Sequence, residues 1–192
     1  MIKLEAIREC LIPSQVAELA CEHGPGDLVE IGLGNGEGTA NFLQVAQRHA
    51  RRVIGIDHYG NDMPSSYSAP YSAGEMQRYI QRNAQGCTHL LCHHKCSSLS
   101  AEAEEAVNCD LAFAYVDGLQ YKRAVISDLE LVRKAPVIVV DDWNRDTEMS
   151  QVPRAVDTWT KTRDNFIGVQ FGAKHGTSKP RYIALIAGGA AF

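Results

Sequence analysis

The chain has 192 residues, of which 45% are hydrophobic and 22% are charged, with 16 glycines and 7 prolines. This composition is typical of a single globular domain that buries roughly 70% of its unfolded surface, and it excludes disordered and collagen-like chains. Against 23 Asp and Glu residues stand 19 Lys and Arg residues, which leaves a net charge of −4. The sequence therefore lacks the positive field that attracts nucleic acid, and we expect no nucleic-acid partner.

The sequence also lacks the signals of secretion and membrane insertion. It contains no apolar run long enough to span a bilayer, and its start, MIKLEAIREC, carries charges where a signal peptide would be apolar. We therefore expect a cytoplasmic protein with no membrane partner. In such a reducing compartment the six cysteines are expected to be free thiols.

One segment, CTHLLCHHKC, concentrates cysteine and histidine. Zinc needs ligand pairs at a few common spacings, and this segment matches none of them. It also lies on a predicted strand, where alternate side chains face opposite ways. Its members are therefore expected in the core or at the edge of a ligand site: Cys87, Cys92, His93, His94 and Cys96.

Apolar runs and helical segments alternate along the chain. The predicted helices cover 14–23, 38–50, 72–85, 99–107, 121–134 and 148–163, and the predicted strands cover 28–32, 52–57, 89–94, 111–117, 136–142, 166–172 and 181–189. Continuous apolar strands separated by helices are typical of a parallel sheet that is covered on both faces. No helix separates the last two strands, which predicts an antiparallel pair. We therefore predict an α/β fold with a doubly wound, mostly parallel sheet.

The first long helix has recognisable limits. Ser14 precedes the periodic segment QVAELA and is the predicted N-cap, and Gly24-Pro25-Gly26 ends the helix. No repeat, low-complexity tract or linker interrupts the chain. We therefore expect one domain over residues 1–192, with a helical leader over 1–24.

A glycine-rich turn follows the first strand, in the segment VEIGLGNGEGT. Gly32, Gly34 and Gly36 allow a tight turn and let the backbone approach a ligand without an intervening Cβ. Asp57 ends the next strand, where a carboxylate can accept hydrogen bonds from both hydroxyls of a ribose. Strand, turn, helix and acid together predict a nucleoside-containing cofactor, although a tight turn without a ligand would need similar glycines.

The charges around the turn discriminate between cofactors. A dinucleotide fingerprint would need glycine at position 37, where the carboxylate of Glu37 would instead compete with a pyrophosphate for the helix N-terminus. A phosphate-free ligand with a positive centre fits better, with Glu30 bonding the turn and helping to hold an ammonium group. A nucleotide-dependent oxidoreductase on the same fold is the alternative that Glu37 disfavours.

Further acids follow the fourth and fifth predicted strands. Asp117 comes after LAFAYV, and the pair Asp141 and Asp142 comes after PVIVV. Strands that end at one edge can bring these carboxylates together, and three converging acids repel one another unless a cation neutralises them. Oxygen ligands suit Mg²⁺ or Ca²⁺, so the three aspartates form a candidate metal site. The alternative is that Asp117 or Asp142 only caps a following helix.

Four segments, in this order and spacing, resemble class I S-adenosylmethionine-dependent methyltransferases: VEIGLGNGEGT, RVIGIDHYG, YVDGLQYKRAVISDLELV and VIVVDDWN. The sequence is most similar to the macrocin-type sugar O-methyltransferases, methyltransferase domain family 24, and more distantly to catechol-type O-methyltransferases. The resemblance covers a core over residues 25–190. It implies a Rossmann-like seven-stranded sheet with an antiparallel last strand and S-adenosylmethionine as the cofactor.

The resemblance also implies roles for individual residues. Those lining the methionine part of the cofactor would be Glu30, Gly32, Gly34 and Gly36, and Thr39 and Asp117 would also belong to the cofactor site. Asp57 would bind the ribose, and the segment 94–98 would approach the adenine, with Ser97 or Ser98 as donors. Asp117, Asp141 and Asp142 would hold a divalent metal, Mg²⁺ first of all, that binds the acceptor hydroxyl, lowers its pKa and orients it.

One position departs from the family pattern. Members of the macrocin-like group commonly carry DGxHxY after the fourth strand, and this chain has Gln120 in place of the histidine. Glutamine exchanges hydrogen bonds but takes no proton. The remaining candidates for the base are a metal-bound hydroxide, Asp141, Tyr121 and Lys122, and the predicted catalytic residues are Asp117, Asp141 and Tyr121. A non-catalytic cofactor-binding protein is a second alternative.

The predicted function is methyl transfer from S-adenosylmethionine to a hydroxyl of a small molecule, a sugar or natural-product intermediate, with a divalent cation assisting. The polar loop 59–74 follows the strand that ends in Asp57, and together with Trp143 it is expected to contact the acceptor as a lid. A plain surface loop would have the same composition. The sequence names neither the acceptor nor the oligomeric state, so a homo-oligomer stays open.

Overall fold

The computed structural model describes residues 2–59, 71–144, 151–163, 165–173 and 180–188. Seven strands among these residues form one sheet in the order β3-β2-β1-β4-β5-β7-β6. The strands are β1 (Asp27–Ile31), β2 (Val53–Ile56), β3 (Leu91–His94), β4 (Leu111–Val116), β5 (Val137–Val140), β6 (Phe166–Ala173) and β7 (Pro180–Ala187). β1 to β5 pair in parallel, and β7 runs antiparallel between β5 and β6. The predicted α/β class and the antiparallel last strand are confirmed.

The helices lie between the strands, as the alternation of the sequence predicts. They are α1 (Leu4–Arg8), α2 (Pro13–His23), α3 (Glu37–Arg48), α4 (Ala73–Asn83), α5 (Ala101–Ala106), α6 (Lys122–Leu131) and α7 (Val152–Thr160). The short α1 lies in the predicted helical leader but was not among the individual helices predicted. The strand predicted from residue 89 begins only at Leu91, because Thr88–Leu90 forms a 3₁₀ helix. The predicted start of the last helix, at 148, lies outside the described residues.

The N-cap prediction for α2 is wrong. The helix begins at Pro13 and its N-cap is Ile12, so Ser14 lies inside the first turn. Proline suits the first helical position because its missing N–H group would have no partner there. The side chain of Gln15 supplies the capping acceptor, since its Oε1 accepts the backbone N–H of Ile12 at 3.3 Å.

Two hydrophobic cores cover the two faces of the sheet. The first core packs α1 to α4 on one face, and the second packs α5 to α7 on the other. β5 shows why a strand in the middle of such a sheet can be apolar throughout. Val137 and Val139 face the first core, and Ile138 and Val140 face the second, so every side chain of the strand is buried.

The carboxyl ends of the parallel strands lie level along one edge of the sheet. Ile31 at the end of β1 pairs with Ile56 of β2 and with Val116 of β4, and Val116 pairs with Val140 of β5. The chain leaves β1 toward β2 on one side and returns to β4 on the other. Such a reversal of strand order leaves a crevice beyond the carboxyl ends, which is the usual ligand site of open α/β sheets.

The structure also gives the state of the cysteines and the character of the helices. All six cysteines are free thiols, as predicted. Among the described helices, none combines the length and the apolar character that crossing a membrane requires.

Candidate functional site

A pocket of about 480 Å³ opens at the crevice between β1 and β4. Its size lies within the range of small-molecule sites, roughly 300–1,000 Å³. Within the described residues, the acids and the arginine that line it are Glu30, Glu37, Asp57, Asp117, Asp128, Asp141 and Arg181. An excess of acids favours a ligand that carries positive charge. We call the part around Gly32, Gly34 and Asp57 the turn end, and the part around Asp117, Asp141 and Arg181 the acid end.

The three glycines of the turn serve different purposes. All have positive φ, 85° at Gly32, 51° at Gly34 and 88° at Gly36, a conformation that other residues rarely adopt. A Cβ on Gly32 would overlap the backbone of Asp117, and a Cβ on Gly36 would press on α4. A Cβ on Gly34 would meet only the ring of Tyr71, at 3.7 Å, among the described residues. Gly34 therefore leaves room toward the pocket, while the other two let the turn pack against its neighbours.

Asp57 fastens this turn to the second strand. Its Oδ2 accepts the backbone N–H groups of Leu33, at 2.9 Å, and Gly34, at 3.2 Å. Its Oδ1 accepts the N–H of Tyr59 at 2.7 Å. Asp57 also lines the pocket, so it stands where the sequence predicts a ribose ligand. The sequence did not predict its second task, which is to hold the turn in shape.

Glu30 and Thr39 lie behind the turn. Glu30 is fully buried, and its Oε2 accepts the hydroxyl hydrogen of Thr39 at 2.5 Å. Burial raises the pKa of Glu30 to about 8, and nearby Asp57 contributes to the rise while the Thr39 bond opposes it. Glu30 therefore keeps its proton through neutral pH. Thr39 is buried and does not line the pocket, so its expected contact with the cofactor would run through Glu30.

The segment after β3 forms one wall of the pocket. Ser97 and Ser98 both line it, and Ser98 hydrogen-bonds Asp128 of α6. Asp128 is 2% exposed, and its Oδ1 has no partner among the described residues. Burial raises the pKa of Asp128 to about 6. This wall offers hydroxyl and carboxyl groups at the position where the resemblance implies the adenine.

At the acid end, Asp141 is saturated with hydrogen bonds. Its Oδ1 accepts hydrogen bonds from Arg181 Nε at 2.7 Å and from the backbone N–H of Asp142 at 2.6 Å. Its Oδ2 accepts Arg181 Nη2 at 2.6 Å and the hydroxyl of Tyr115 at 2.7 Å. An ionised carboxylate has about four acceptor positions, and four donors occupy them here. Asp141 therefore has no lone pair left for a metal ion or for an acceptor proton.

The other two aspartates have different surroundings. Asp117 is exposed to the open pocket, although protein surrounds it on most sides. That burial raises the pKa of Asp117, the neighbouring Asp141 and Asp142 raise it further, and Arg181 lowers it. Asp142 is buried outside the pocket lining and accepts a hydrogen bond from the amide of Gln120. In the described part of the chain, no three His, Cys, Asp or Glu residues are grouped so as to hold a metal ion.

Three further residues singled out in the sequence do not line the pocket. Tyr121 is the N-cap of α6 and is 47% exposed. The backbone N–H of Lys122 bonds Gln151 Oε1 at 3.3 Å. Trp143 packs against the second core. The expected catalytic role of Tyr121 and the expected acceptor contact of Trp143 therefore gain no support from their positions.

The cysteine and histidine segment is divided among different surroundings. Cys87 is buried and donates its S–H to the carbonyl of Ala84 at 3.3 Å. His93 packs edge-on against the ring of Tyr59, with the centroids 5.8 Å apart. His94 lies 3.4 Å from the Glu102 carboxyl group. The segment thus contributes to the core and to the pocket wall.

Apolar side chains surround the mouth of the pocket. Ile12, Tyr71 and Leu99 line it and are 46%, 42% and 68% exposed. Exposed apolar groups beside a cavity are typical of a surface that contacts a ligand. Tyr71 belongs to the predicted lid over 59–74, of which residues 60–70 lie outside the described part of the chain.

Sequence reasoning missed Arg181 and Tyr115. Both bind Asp141, yet Arg181 is 40 residues away along the chain. Tyr115 looks like an ordinary residue of an apolar strand. No local spacing marks either residue, so only the pairing of β5 with β7 and β4 reveals them.

A family model described as a methyltransferase domain, Methyltransf_24, matches residues 29–143. The match covers β1 to β5 and with them the turn end and the three aspartates. This is more than half of the chain, which therefore belongs to this family of class I, S-adenosylmethionine-dependent methyltransferases. No curated protein matches the sequence.

Solved structures share the fold. Cofactor-bound Rv0187 from MTB superposes with a TM-score of 0.60 at 15% identity, over 96% of this chain and 84% of that one. The O-methyltransferase TomG from Streptomyces achromogenes, in complex with SAM, gives 0.57 at 16% identity, over 92% and 82%. The SAH-bound methyltransferase PaMTH1 of Podospora anserina gives 0.57 at 10% identity, over 91% and 77%. At these identities the likeness concerns the fold alone.

Proposed function

We propose that the enzyme transfers the methyl group of S-adenosylmethionine to a hydroxyl oxygen of a small-molecule acceptor. The observation that carries this proposal is the juxtaposition, in one pocket, of the glycine turn and the open carboxylate of Asp117. The first suits the cofactor, and the second suits removal of a proton from an acceptor beside it. TomG, which has the same fold, is an O-methyltransferase.

The turn end fits the cofactor chemically. Gly34 leaves open space beside the backbone, and Asp57 presents a carboxylate at the same place. The acids of the lining suit a sulfonium centre, whereas they would oppose the phosphates of a dinucleotide. The hydroxyls of Ser97 and Ser98 supply hydrogen-bonding groups on the adjoining wall.

The acid end supplies the proton acceptor. As the acceptor oxygen bonds the methyl carbon, the carbon–sulfur bond breaks and sulfur keeps the electron pair. The hydroxyl proton passes to Asp117, which lines the pocket and is exposed to it. Asp141 is unsuited to this task because its acceptor positions are filled. The remaining work is alignment, which can lower a barrier by roughly 7–11 kcal/mol.

The acceptor is bounded by the mouth of the pocket. Ile12, Tyr71 and Leu99 offer apolar contact there, while the polar groups lie deeper. This arrangement suits a molecule with an apolar or aromatic body and a hydroxyl that reaches Asp117. Sugars with an apolar substituent and phenols both meet the description.

Divalent-metal assistance, which the resemblance implies, does not fit the donor set. Mg²⁺ takes oxygen ligands at about 2.0–2.1 Å in near-octahedral geometry. Both oxygens of Asp141 already bind the Arg181 guanidinium, and Asp142 bonds Gln120. The proposed transfer therefore uses no metal ion.

Calorimetry with S-adenosylhomocysteine and with NAD tests the cofactor. We expect micromolar binding of S-adenosylhomocysteine and none of NAD, and the reverse result would favour the oxidoreductase alternative. Asp57→Asn should weaken S-adenosylhomocysteine binding by roughly tenfold or more, because it removes a charged acceptor from the turn end. Asp27→Asn is the matched control, since Asp27 starts β1 at the opposite edge and pairs with Arg52.

Release of S-adenosylhomocysteine from S-adenosylmethionine, in the presence of a catechol, a simple phenol or a free sugar, tests the transfer. Asp117→Asn should lower turnover by roughly 100-fold or more, the usual size of a proton-transfer contribution, and this loss should exceed any loss of cofactor affinity. Unchanged turnover would remove Asp117 from the mechanism. Binding of the cofactor without turnover on any acceptor would favour the non-catalytic alternative.

A further inference from the structure

One side chain at the acid end stands where a cation is expected. Three aspartates follow β4 and β5, and such a set needs a neutralising charge. Within the described lining of the pocket, Arg181 is the one Lys or Arg side chain. Its guanidinium forms a two-pronged ion pair with Asp141, through Nε at 2.7 Å and Nη2 at 2.6 Å.

The surroundings hold the guanidinium in this position. Arg181 lies over the ring of Tyr182, with 5.2 Å between its Cζ and the ring centroid, which adds a cation–π contact. Its backbone is fixed at the start of β7, and its carbonyl accepts the N–H of Trp143 at 2.9 Å. Two-pronged pairing of a planar guanidinium with a carboxylate is the strongest form of this contact. The charge is also permanent, because arginine does not lose its proton in proteins.

We propose that Arg181 takes the place of the divalent cation in this methyltransferase, so that it neutralises Asp141 and the enzyme transfers the methyl group without a bound metal. Arg181 acts as a positioning residue through Asp141. The inference rests on the proposed function for its catalytic meaning, while its structural content, an arginine in place of a metal ion, can be tested alone.

The presence of Arg181 in place of a metal ion has consequences for the acceptor. A metal ion binds the acceptor oxygen directly, and it favours acceptors with two adjacent oxygens that it can hold together. A guanidinium donates hydrogen bonds and forms no coordinate bond to an acceptor oxygen. A second, adjacent oxygen on the acceptor is therefore not required, and the hydroxyl proton passes to a protein group.

Mn²⁺ titration followed by electron paramagnetic resonance, with S-adenosylhomocysteine present, tests the proposal without any acceptor. The wild-type protein should bind no Mn²⁺ below the millimolar range. Arg181→Met keeps a long side chain but removes the charge and frees one acceptor position on each oxygen of Asp141, so it should gain Mn²⁺ affinity by roughly tenfold or more. The double variant with Asp141→Asn should lose that gain.

Two further variants separate this effect from a loss of structure. Arg163→Met is the matched control, because Arg163 also combines an ion pair, with Glu130 at 2.5 Å, and a stacking contact, with Trp159 at 5.5 Å. It should gain no Mn²⁺ binding. Arg181→Lys keeps the positive charge and should gain none either, and this comparison remains available if Arg181→Met fails to fold.

Either of two results overturns the proposal. One is micromolar Mn²⁺ binding by the wild-type protein that Asp141→Asn abolishes. The other is a folded Arg181→Met protein that binds no more Mn²⁺ than the wild type. Failure of the wild type to bind S-adenosylhomocysteine, measured in the same samples, would instead count against the proposed function and leave the metal result readable.

Discussion

The turn end and the acid end of the pocket are built in different ways. At the turn end, residues close in sequence determine the shape, since the glycines follow β1 directly and Asp57 follows the neighbouring strand. At the acid end, the decisive partner of Asp141 comes from β7, 40 residues away. A local sequence motif therefore determines the turn end, whereas the acid end forms only when the strands of the sheet have paired.

This difference explains why the sequence indicates the shape of the turn end but not the partners of the aspartates at the acid end. A motif of glycines and an acid has a direct physical meaning, because it describes backbone freedom and a hydrogen-bond acceptor at known spacing. A set of aspartates at one edge of a sheet predicts only that some positive charge neutralises them. Whether a metal ion or an arginine balances it depends on contacts that the spacing of the aspartates does not contain.

The largest effect that we expect would come from Gly32→Ala, compared with Gly34→Ala. A Cβ at Gly32 would overlap the Asp117 backbone at a φ of 85°, so the free energy of unfolding should fall by about 3 kcal/mol or more. At Gly34 the space is open and φ is 51°, so stability should fall by only about 1 kcal/mol. Urea unfolding measures both changes.

Affinity for S-adenosylhomocysteine, measured per folded molecule, should rank the same two variants in the opposite order. The variant that loses less stability, Gly34→Ala, should lose more affinity. Gly34→Ala places a methyl group beside the pocket and should weaken S-adenosylhomocysteine binding, with little cost in stability. If folded Gly34→Ala binds as well as the wild type, the turn does not approach the cofactor as proposed.

A second prediction concerns the pH dependence of stability. The pKa of Glu30 is raised to about 8 in the folded protein from an ordinary value of 4.5, so the folded state holds a proton that the unfolded state releases. The contribution of Glu30 is therefore complete below about pH 4.5 and declines as pH rises toward 8. Each pKa unit corresponds to about 1.4 kcal/mol, so the total decline should reach a few kcal/mol.

Glu30→Gln should remove this decline, because the amide mimics the protonated carboxyl group and can still accept the Thr39 hydroxyl hydrogen. The stability of the variant relative to the wild type should rise between pH 5 and pH 8, as followed by urea unfolding in that interval. Glu37→Gln, at the exposed start of α3, serves as the control. A parallel pH profile for Glu30→Gln and the wild type would contradict the prediction.

The smallest expected effect belongs to Tyr121→Phe. Tyr121 is nearly half exposed, lies outside the pocket lining, and uses no side-chain hydrogen bond to cap α6. Turnover should stay within about twofold, and the free energy of unfolding within about 0.5 kcal/mol. A large loss of turnover with normal cofactor binding would return Tyr121 to the acid end as a catalytic residue.

Much of the fold could be predicted because burial on both faces leaves a plain signal. The four residues of β5 are all apolar, and each belongs to one of the two cores. Element ends were harder. Ser14 looked like an N-cap, but Pro13 and Gln15 together start α2 earlier, and Thr88–Leu90 tightens into a 3₁₀ helix before β3 can pair with β2. Such ends depend on competition between neighbouring contacts.

The site was predictable to the extent that a residue type fixes a role. Gly34 and Asp57 line the pocket as the motif indicates, whereas Gly36 and Thr39, from the same motif, support the turn from behind. Periodicity cannot distinguish a residue that lines the pocket from one that supports the turn, since all four residues follow strands at the same edge of the sheet. The distinction depends on whether neighbouring elements or the open pocket lie beside each residue.

The bonds of Asp57 to the turn have a thermodynamic consequence. This one carboxylate accepts two backbone N–H groups of the turn, those of Leu33 and Gly34, and also the N–H of Tyr59, so the turn has already given up conformational freedom before a ligand arrives. Ordering a flexible loop upon association opposes binding, and a loop that is rigid beforehand avoids that loss. The cofactor should therefore meet a finished surface, with association limited by diffusion and orientation rather than by a folding step.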